Sequence, residues 1–177
     1  MICKVVELRQ YTMVPGKRDA LIALFDRVLT AEQEAVGMKI LGVYHDLDRP
    51  DRLVWMRGFP DMASRRQALA SFYEGPVWRA HRDEANATML ESHDVLLLRP
   101  LADPAAATQP PSSLVIAEIE GLGAPAWLES ETAPNDYPRL PVREGAFLVY
   151  LTPPGGAPPP ELMGLEVQRL RLAPALA

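Results

Sequence analysis

The sequence predicts an α+β fold: one βαββαβ unit in the first hundred residues, followed by a worn second copy. Three observations predict it. Apolar residues alternate with period two or recur at helical spacing in the order strand, helix, strand, strand, helix, strand up to residue 100. Beyond residue 100, strand-like runs continue, but 13 of the 18 prolines lie there, which disfavours long helices. An antiparallel sheet with both its helices on one side leaves its other side bare, and a second copy of the unit is the simplest cover.

Ile2–Met13 reads as the first strand, with Glu7, Arg9 and Tyr11 on one face and Val6 and Leu8 on the other. Pro15-Gly16 turns the chain into a helix over about 17–35, whose apolar face carries Leu21, Leu24, Phe25, Val28 and Leu29 and which Gly37 ends. Lys39–His45 and Arg52–Phe59 form a hairpin across the polar run 46–51. Asp61 is the expected N-cap of a second helical region that Gly75-Pro76 interrupts and that resumes over Val77–Asn86. Thr88–Arg99 closes the unit. With right-handed crossovers this order gives a ferredoxin-like sheet.

Residues 101–112 read as a linker, and 113–177 as a degenerate second repeat, strand-rich and helix-poor. Its expected strands are Ser113–Glu120, Ala146–Thr152 and Leu165–Leu172. Trp127–Thr132 reads as one or two helical turns, and the proline-glycine run 153–160 stands where a repeat helix would fall.

Residues 1–100 carry 14 basic and 14 acidic side chains, and residues 101–177 carry 4 and 9, so the net charge of −5 belongs to the second part. An acidic chain without a basic cluster argues against nucleic acid as a partner, and Arg65-Arg66 reads as a local pair among carboxylates. No apolar run approaches a membrane span, Glu7 and Arg9 interrupt any leader-like stretch, and a single Cys3 suits a reducing compartment, so no membrane association and a cytoplasmic location are expected. No metal-ligand spacing, phosphate loop or nucleophile elbow occurs, so neither metal nor cofactor is expected.

The run Glu7-Leu8-Arg9-x-Tyr11-x3-Pro15-Gly16 resembles the NIPSNAP family of the dimeric α+β barrel superfamily. Leu41-Gly42-Val43, Asp61…Arg65-Arg66 and Pro76-Val77-Trp78 extend the resemblance over residues 3–100. It implies two ferredoxin-like sheets facing each other across a barrel, here a pseudo-dimeric one, with ligand space between them. Relatives of that architecture include cofactor-independent monooxygenases, isomerases, dehydratases, haem-handling enzymes and amino-acid-sensing domains.

Glu7, Arg9 and Tyr11 are the candidate catalytic residues, expected to line the barrel interior. Arg9 would hold a carboxylate, enolate or carbonyl oxygen, Glu7 would act as a base provided that burial raises its pKa, and Tyr11 would donate a proton or hydrogen bond. The competing reading is a Glu–Arg pair that neutralises itself on a sheet face. Trp55, Arg57 and Phe59 share one face of the third strand and suit a clamp for a flat ligand. Equally, the aromatics suit the core and Arg57 a cross-strand pair with Glu7. His93 is a further candidate for the cavity, although a lone histidine is more often structural. The same holds for His81, which shares a helix face with Trp78, a residue read as helix-end packing. Cys3 is placed on the Glu7 face.

Two functions follow as expectations. One is an enzyme or binder acting on a small organic molecule between the two sheets. The other is a non-enzymatic interaction or scaffold module that uses the barrel for self-association. An eroded second repeat would leave a sheet edge open, which favours a homodimer.

Overall fold

The structure is a computed structural model that describes residues 1–101, 111–118, 127–152, 160–162 and 165–176. Among the described residues eight strands run in chain order: β1 (Val5–Met13), β2 (Lys39–Asp46), β3 (Arg52–Phe59), β4 (Met89–Pro100), β5 (Ser113–Glu118), β6 (Leu128–Ser130), β7 (Phe147–Thr152) and β8 (Val167–Pro174). They close into an antiparallel barrel in the order β1-β3-β2-β8-β5-β7-β6-β4.

That order contains the same arrangement twice. The first four strands lie as β4-β1-β3-β2 and the last four as β8-β5-β7-β6, each the fourth, first, third and second strand of its set. The two seams are equivalent as well. β2 meets β8 over Tyr44↔Pro174 to Asp46↔Leu172, and β4 meets β6 over Leu98↔Ser130 to Pro100↔Leu128. The second repeat therefore keeps the ferredoxin-like strand order while, among the described residues, carrying no α-helix, only a 3-10 turn at Pro160–Leu162. The barrel is pseudo-dimeric within one chain.

Leu128–Ser130 is a strand, where helical turns were expected. Its pairing with β4 on one side and β7 on the other outweighs a weak local preference. Most of the expected linker (102–110), the end of the Ser113–Glu120 strand and nearly all of the proline-glycine run lie outside the described residues.

The α-helices of the described residues pack on the outer face of the first sheet. α1 (Arg18–Leu24) passes through a π-helical turn (Phe25–Leu29) into α2 (Thr30–Ala35), so the helix expected over 17–35 is present but widened in its middle. Gly37 at φ 97° ends it, a conformation that costs glycine little. α3 (Met62–Tyr73) is capped by Asp61, whose carboxylate accepts from the Ser64 backbone N–H at 2.7 Å. α4 (Pro76–Asn86) restarts after Gly75 with proline in its first turn.

The sheet of the first repeat is buried on both sides. One apolar cluster draws a member from every strand of the barrel: Val6, Leu8, Tyr44, Val54, Met56, Leu96 and Leu98 from the first repeat meet Leu114, Ile116, Leu128, Phe147, Val149, Leu170 and Leu172 from the second. This is the barrel interior, filled by the chain's own side chains. A second cluster joins Val5, Tyr11, Met13, Leu53, Trp55 and Phe59 to Leu21, Phe25 and Leu29 of the first helical segment and to Leu69 and Phe72 of α3. This is the layer between sheet and helices. Among the described residues no helix is long and apolar enough to cross a membrane.

Candidate functional site

The alternating strand puts Glu7, Arg9 and Tyr11 on one face, as expected, but that face looks outward under the helices. Trp55, Arg57 and Phe59 lie on the same side of β3, so the six residues come together in the sheet–helix layer and not in the barrel interior. Cys3 is on the opposite side from Glu7. It packs in the barrel against Gly58, where an added Cβ would collide with its Sγ.

Glu7 is fully buried, and three guanidiniums converge on it. Arg9 Nη1 donates to Oε2 at 2.7 Å, Arg57 Nε to Oε2 at 2.8 Å and Arg65 Nε to Oε1 at 2.8 Å, while Arg57 Nη2 and Arg65 Nη2 lie in ion-pair contact with the same oxygens at 2.7 Å. β1–β3 pairing sets Glu7 opposite Arg57, so the cross-strand pair read from the sequence forms. Arg65 arrives from α3. It is fully buried and is no local surface pair. Its position could be read from the sequence, because Arg65 shares helical spacing with Ala68, Leu69 and Phe72 and so sits on the apolar stripe.

Burial alone would raise the Glu7 pKa, but Arg57, Arg9 and Arg65 outweigh it and hold the carboxyl well below the usual carboxylate range. The condition attached to a base role for Glu7, a raised pKa, is not met. Its carboxylate instead fixes three guanidiniums.

Each guanidinium then reaches a different element. Arg57 Nη1 donates to Gln33 Oε1 at 2.9 Å, tying in α2. Arg65 Nη1 donates to Asn135 Oδ1 at 3.0 Å and Asp136 Oδ1 at 2.9 Å, in the segment between β6 and β7. Arg9 Nε donates to the Tyr11 hydroxyl at 2.8 Å. Aromatic faces surround these cations: Trp55 lies 5.4 Å from the Arg9 guanidinium carbon and 5.2 Å from that of Arg57.

Next to this cluster is a small cavity of about 30 Å³ walled by Tyr11, Phe25, Leu29, Gln33, Trp55, Phe72, Tyr73, Trp78 and neighbouring apolar side chains. Phe25 and Leu29 belong to the π-helical turn, and Phe25 meets the Trp55 ring edge-on at 4.9 Å. Trp78 both packs against Phe72 and Tyr73 and faces the cavity. Burial raises the Tyr11 pKa, so the phenol keeps its proton while accepting from Arg9. The Trp55 indole Nε1 is buried with no hydrogen-bond partner among the described residues.

His93 stands apart. Its side chain is 68% exposed, beside Glu91 on the surface, and it does not wall the cavity. His81 lies at 3.2 Å from Glu84 on the exposed side of α4. Among the described residues no group of three metal-ligating side chains forms.

The segment 131–145, to which the sequence assigns no element beyond Thr132, closes the site. It leaves β6 with the Glu131 N–H on Leu97 O and rejoins β4 with the Arg143 N–H on Val95 O. Between these anchors Asn135 and Asp136 meet Arg65, and Tyr137 stacks on Tyr73 at 6.4 Å. The second repeat thus supplies residues to the first repeat's site. No periodicity marks this segment, which is why the sequence left it blank.

A profile of the NIPSNAP family matches residues 6–104. Among solved structures, an uncharacterised NIPSNAP-like domain protein of Burkholderia xenovorans is 22% identical, with a TM-score of 0.51 over 63% of this chain and 92% of its own. A NIPSNAP family protein of unknown function from Agrobacterium tumefaciens is 15% identical, with a TM-score of 0.51 over 55% and 88%. A candidate monooxygenase of Lactobacillus acidophilus is 11% identical, with a TM-score of 0.53 over 98% and 94%, so it shares the fold across both repeats. No functionally curated protein matches the chain. At these identities the likenesses speak for the fold alone, while the profile, spanning more than half of the chain, settles the family: the protein belongs to the NIPSNAP family.

Proposed function

We propose that this protein binds a small, flat organic molecule between the first sheet and its helices, with Tyr11 donating a hydrogen bond to a polar atom of that molecule. The observation that carries the reading is the placement of an aromatic-walled cavity directly against a fully buried carboxylate–guanidinium cluster, with Arg9 donating to Tyr11 at the boundary. Apolar walls with a few fixed polar groups are the usual make-up of a small-molecule site. Trp55 and Phe25 offer faces to a ring, and Glu7 and Arg57 hold Arg9 and Trp55 in place.

The present volume suits water and not an organic ligand, since occupied pockets run to about 300 Å³ or more. Binding therefore requires the Phe25–Leu29 wall to move outward. A π-helical turn is a common feature of functional sites and is the element suited to such a shift. An isomerase or a cofactor-independent oxygenase acting on the bound molecule fits the same site, because both need a dry pocket and a donor to a substrate oxygen. The candidate monooxygenase of Lactobacillus acidophilus shares the fold and lends that chemistry only an analogy.

Native mass spectrometry of the purified protein, with ligand release and identification, tests the reading. A co-purified aromatic or alicyclic compound that is lost in Tyr11→Phe and Trp55→Ala supports it. Retention of that compound in both variants would place the ligand elsewhere and refute it.

A further inference from the structure

We infer that the molecule taken by this cavity is an organic anion, and that Arg9, acting through the Tyr11 hydroxyl, selects for its charge. The inference rests on the cavity reading above and goes further than it. Three buried guanidiniums, Arg9, Arg57 and Arg65, share the space under the helices. Arg65 has a carboxylate of its own in Asp136 at 2.9 Å. Glu7 is then left to neutralise both Arg9 and Arg57. Among the described residues no other carboxylate pairs with either, so the cluster carries one positive charge in excess. Guanidinium does not give up its proton in a protein, so this excess cannot be relieved by deprotonation.

The excess falls next to the cavity. Arg57 Nη1 is engaged by Gln33 and by the Met38 sulfur, whereas Arg9 Nε donates to the hydroxyl of Tyr11, a residue that lines the cavity. A phenol that accepts from a guanidinium keeps its own O–H to give and is a stronger donor for it. The Trp55 ring forms part of the same wall, and its Nε1–H lacks a partner among the described residues. Among the described residues no carboxylate or imidazole is found in the lining, so no ionised acid there repels an anion. Apart from Gln33, whose amide oxygen is engaged by Arg57, the rest of the wall is predominantly apolar and aromatic and suits a planar apolar body. The ligand class that meets both demands is an oxyanion on such a body: an arene carboxylate, a phenolate or an enolate.

Isothermal titration of the full chain with matched pairs of probes, benzoate against benzamide and 1-naphthoate against 1-naphthamide, tests this charge preference. Each anion is expected to bind about tenfold tighter than its neutral counterpart, the difference that one charge-assisted contact can supply. Tyr11→Phe should lower that ratio several-fold. Asp136→Asn, which removes the counter-ion of Arg65 from a partly exposed position, should raise the ratio of anion to amide affinity. Both variants avoid emptying the buried carboxylate site, and circular dichroism verifies that they fold. Equal or tighter binding of the amides would overturn the charge inference and leave the cavity reading intact. A preference for anions that ignores Tyr11→Phe would place the anion elsewhere and also overturn the inference. Failure of all four probes to bind would refute the cavity reading, and the inference with it.

Discussion

Glu7 is the single carboxylate on which Arg9, Arg57 and Arg65 all converge, so replacing it strands buried positive charge. Removing one partner of a buried ion pair costs about 3–5 kcal/mol. Glu7→Gln should therefore lower the melting temperature by roughly 6–20 °C, given about 2–4 °C per kcal/mol at this chain length. The effect depends on pH in a definite direction. The folded-state pKa of Glu7 is depressed, so its contribution is fully present above the ordinary carboxyl value of 4.5 and is lost as pH falls through and below that value. The melting-temperature gap between wild type and Glu7→Gln should stay constant at neutral pH and narrow below about pH 4; a gap that widens on acidification would contradict the depressed pKa. Tyr11→Phe removes only the acceptor of Arg9 Nε, costs about 1–2 kcal/mol and should reduce ligand binding far more than stability. At this scale the sequence was informative about partners: the Glu7–Arg57 pair follows from strand alternation and hairpin order. It was silent about Asn135 and Asp136, because contacts between residues 70 apart in an irregular segment leave no local pattern.

Two elements distinguish this site from a plain sheet–helix core. The π-helical turn inserts an extra residue into the first helical segment and sets the phase at which Phe25 and Leu29 face Trp55. Deleting the exposed Asp26 should restore regular α-helix with helicity unchanged by circular dichroism, yet abolish binding, because the wall residues rotate out of phase. The segment 131–145 is the other. Tyr137 is buried against Tyr73, and Tyr137→Ala should cost about 3 kcal/mol, read from chemical denaturation, by opening a cavity over the cluster. The sequence located the first helix through its apolar spacing but not its π turn, which the periodicity of one face does not distinguish from α. The misread β6 has the same kind of cause: three residues carry little propensity, and pairing on both sides decides them.

The whole molecule is a pair of four-stranded sheets closed on each other, which changes what its surfaces can do. Closure pairs the edges of the described strands, on which a homodimer was expected to form, and the barrel interior is packed by the chain's own side chains. Native mass spectrometry should therefore report a single chain of 19.5 kDa. Residues 1–100 expressed alone would bare Val6, Leu8, Val54, Met56, Leu96 and Leu98, and should dimerise or precipitate; a stable, soluble monomer of that fragment would contradict the role of the second repeat as a cover. By itself the sequence determined the strand order of the first repeat, the family and, Cys3 apart, which residues of β1 and β3 share a face. Only the tertiary structure decided what each face looks at. The physical reason is that this sheet is buried on both sides, by helices on one and by the second repeat on the other. Alternation then separates two faces without telling barrel from helix layer, and the Glu7–Arg9–Tyr11 face turned out to lie under the helices.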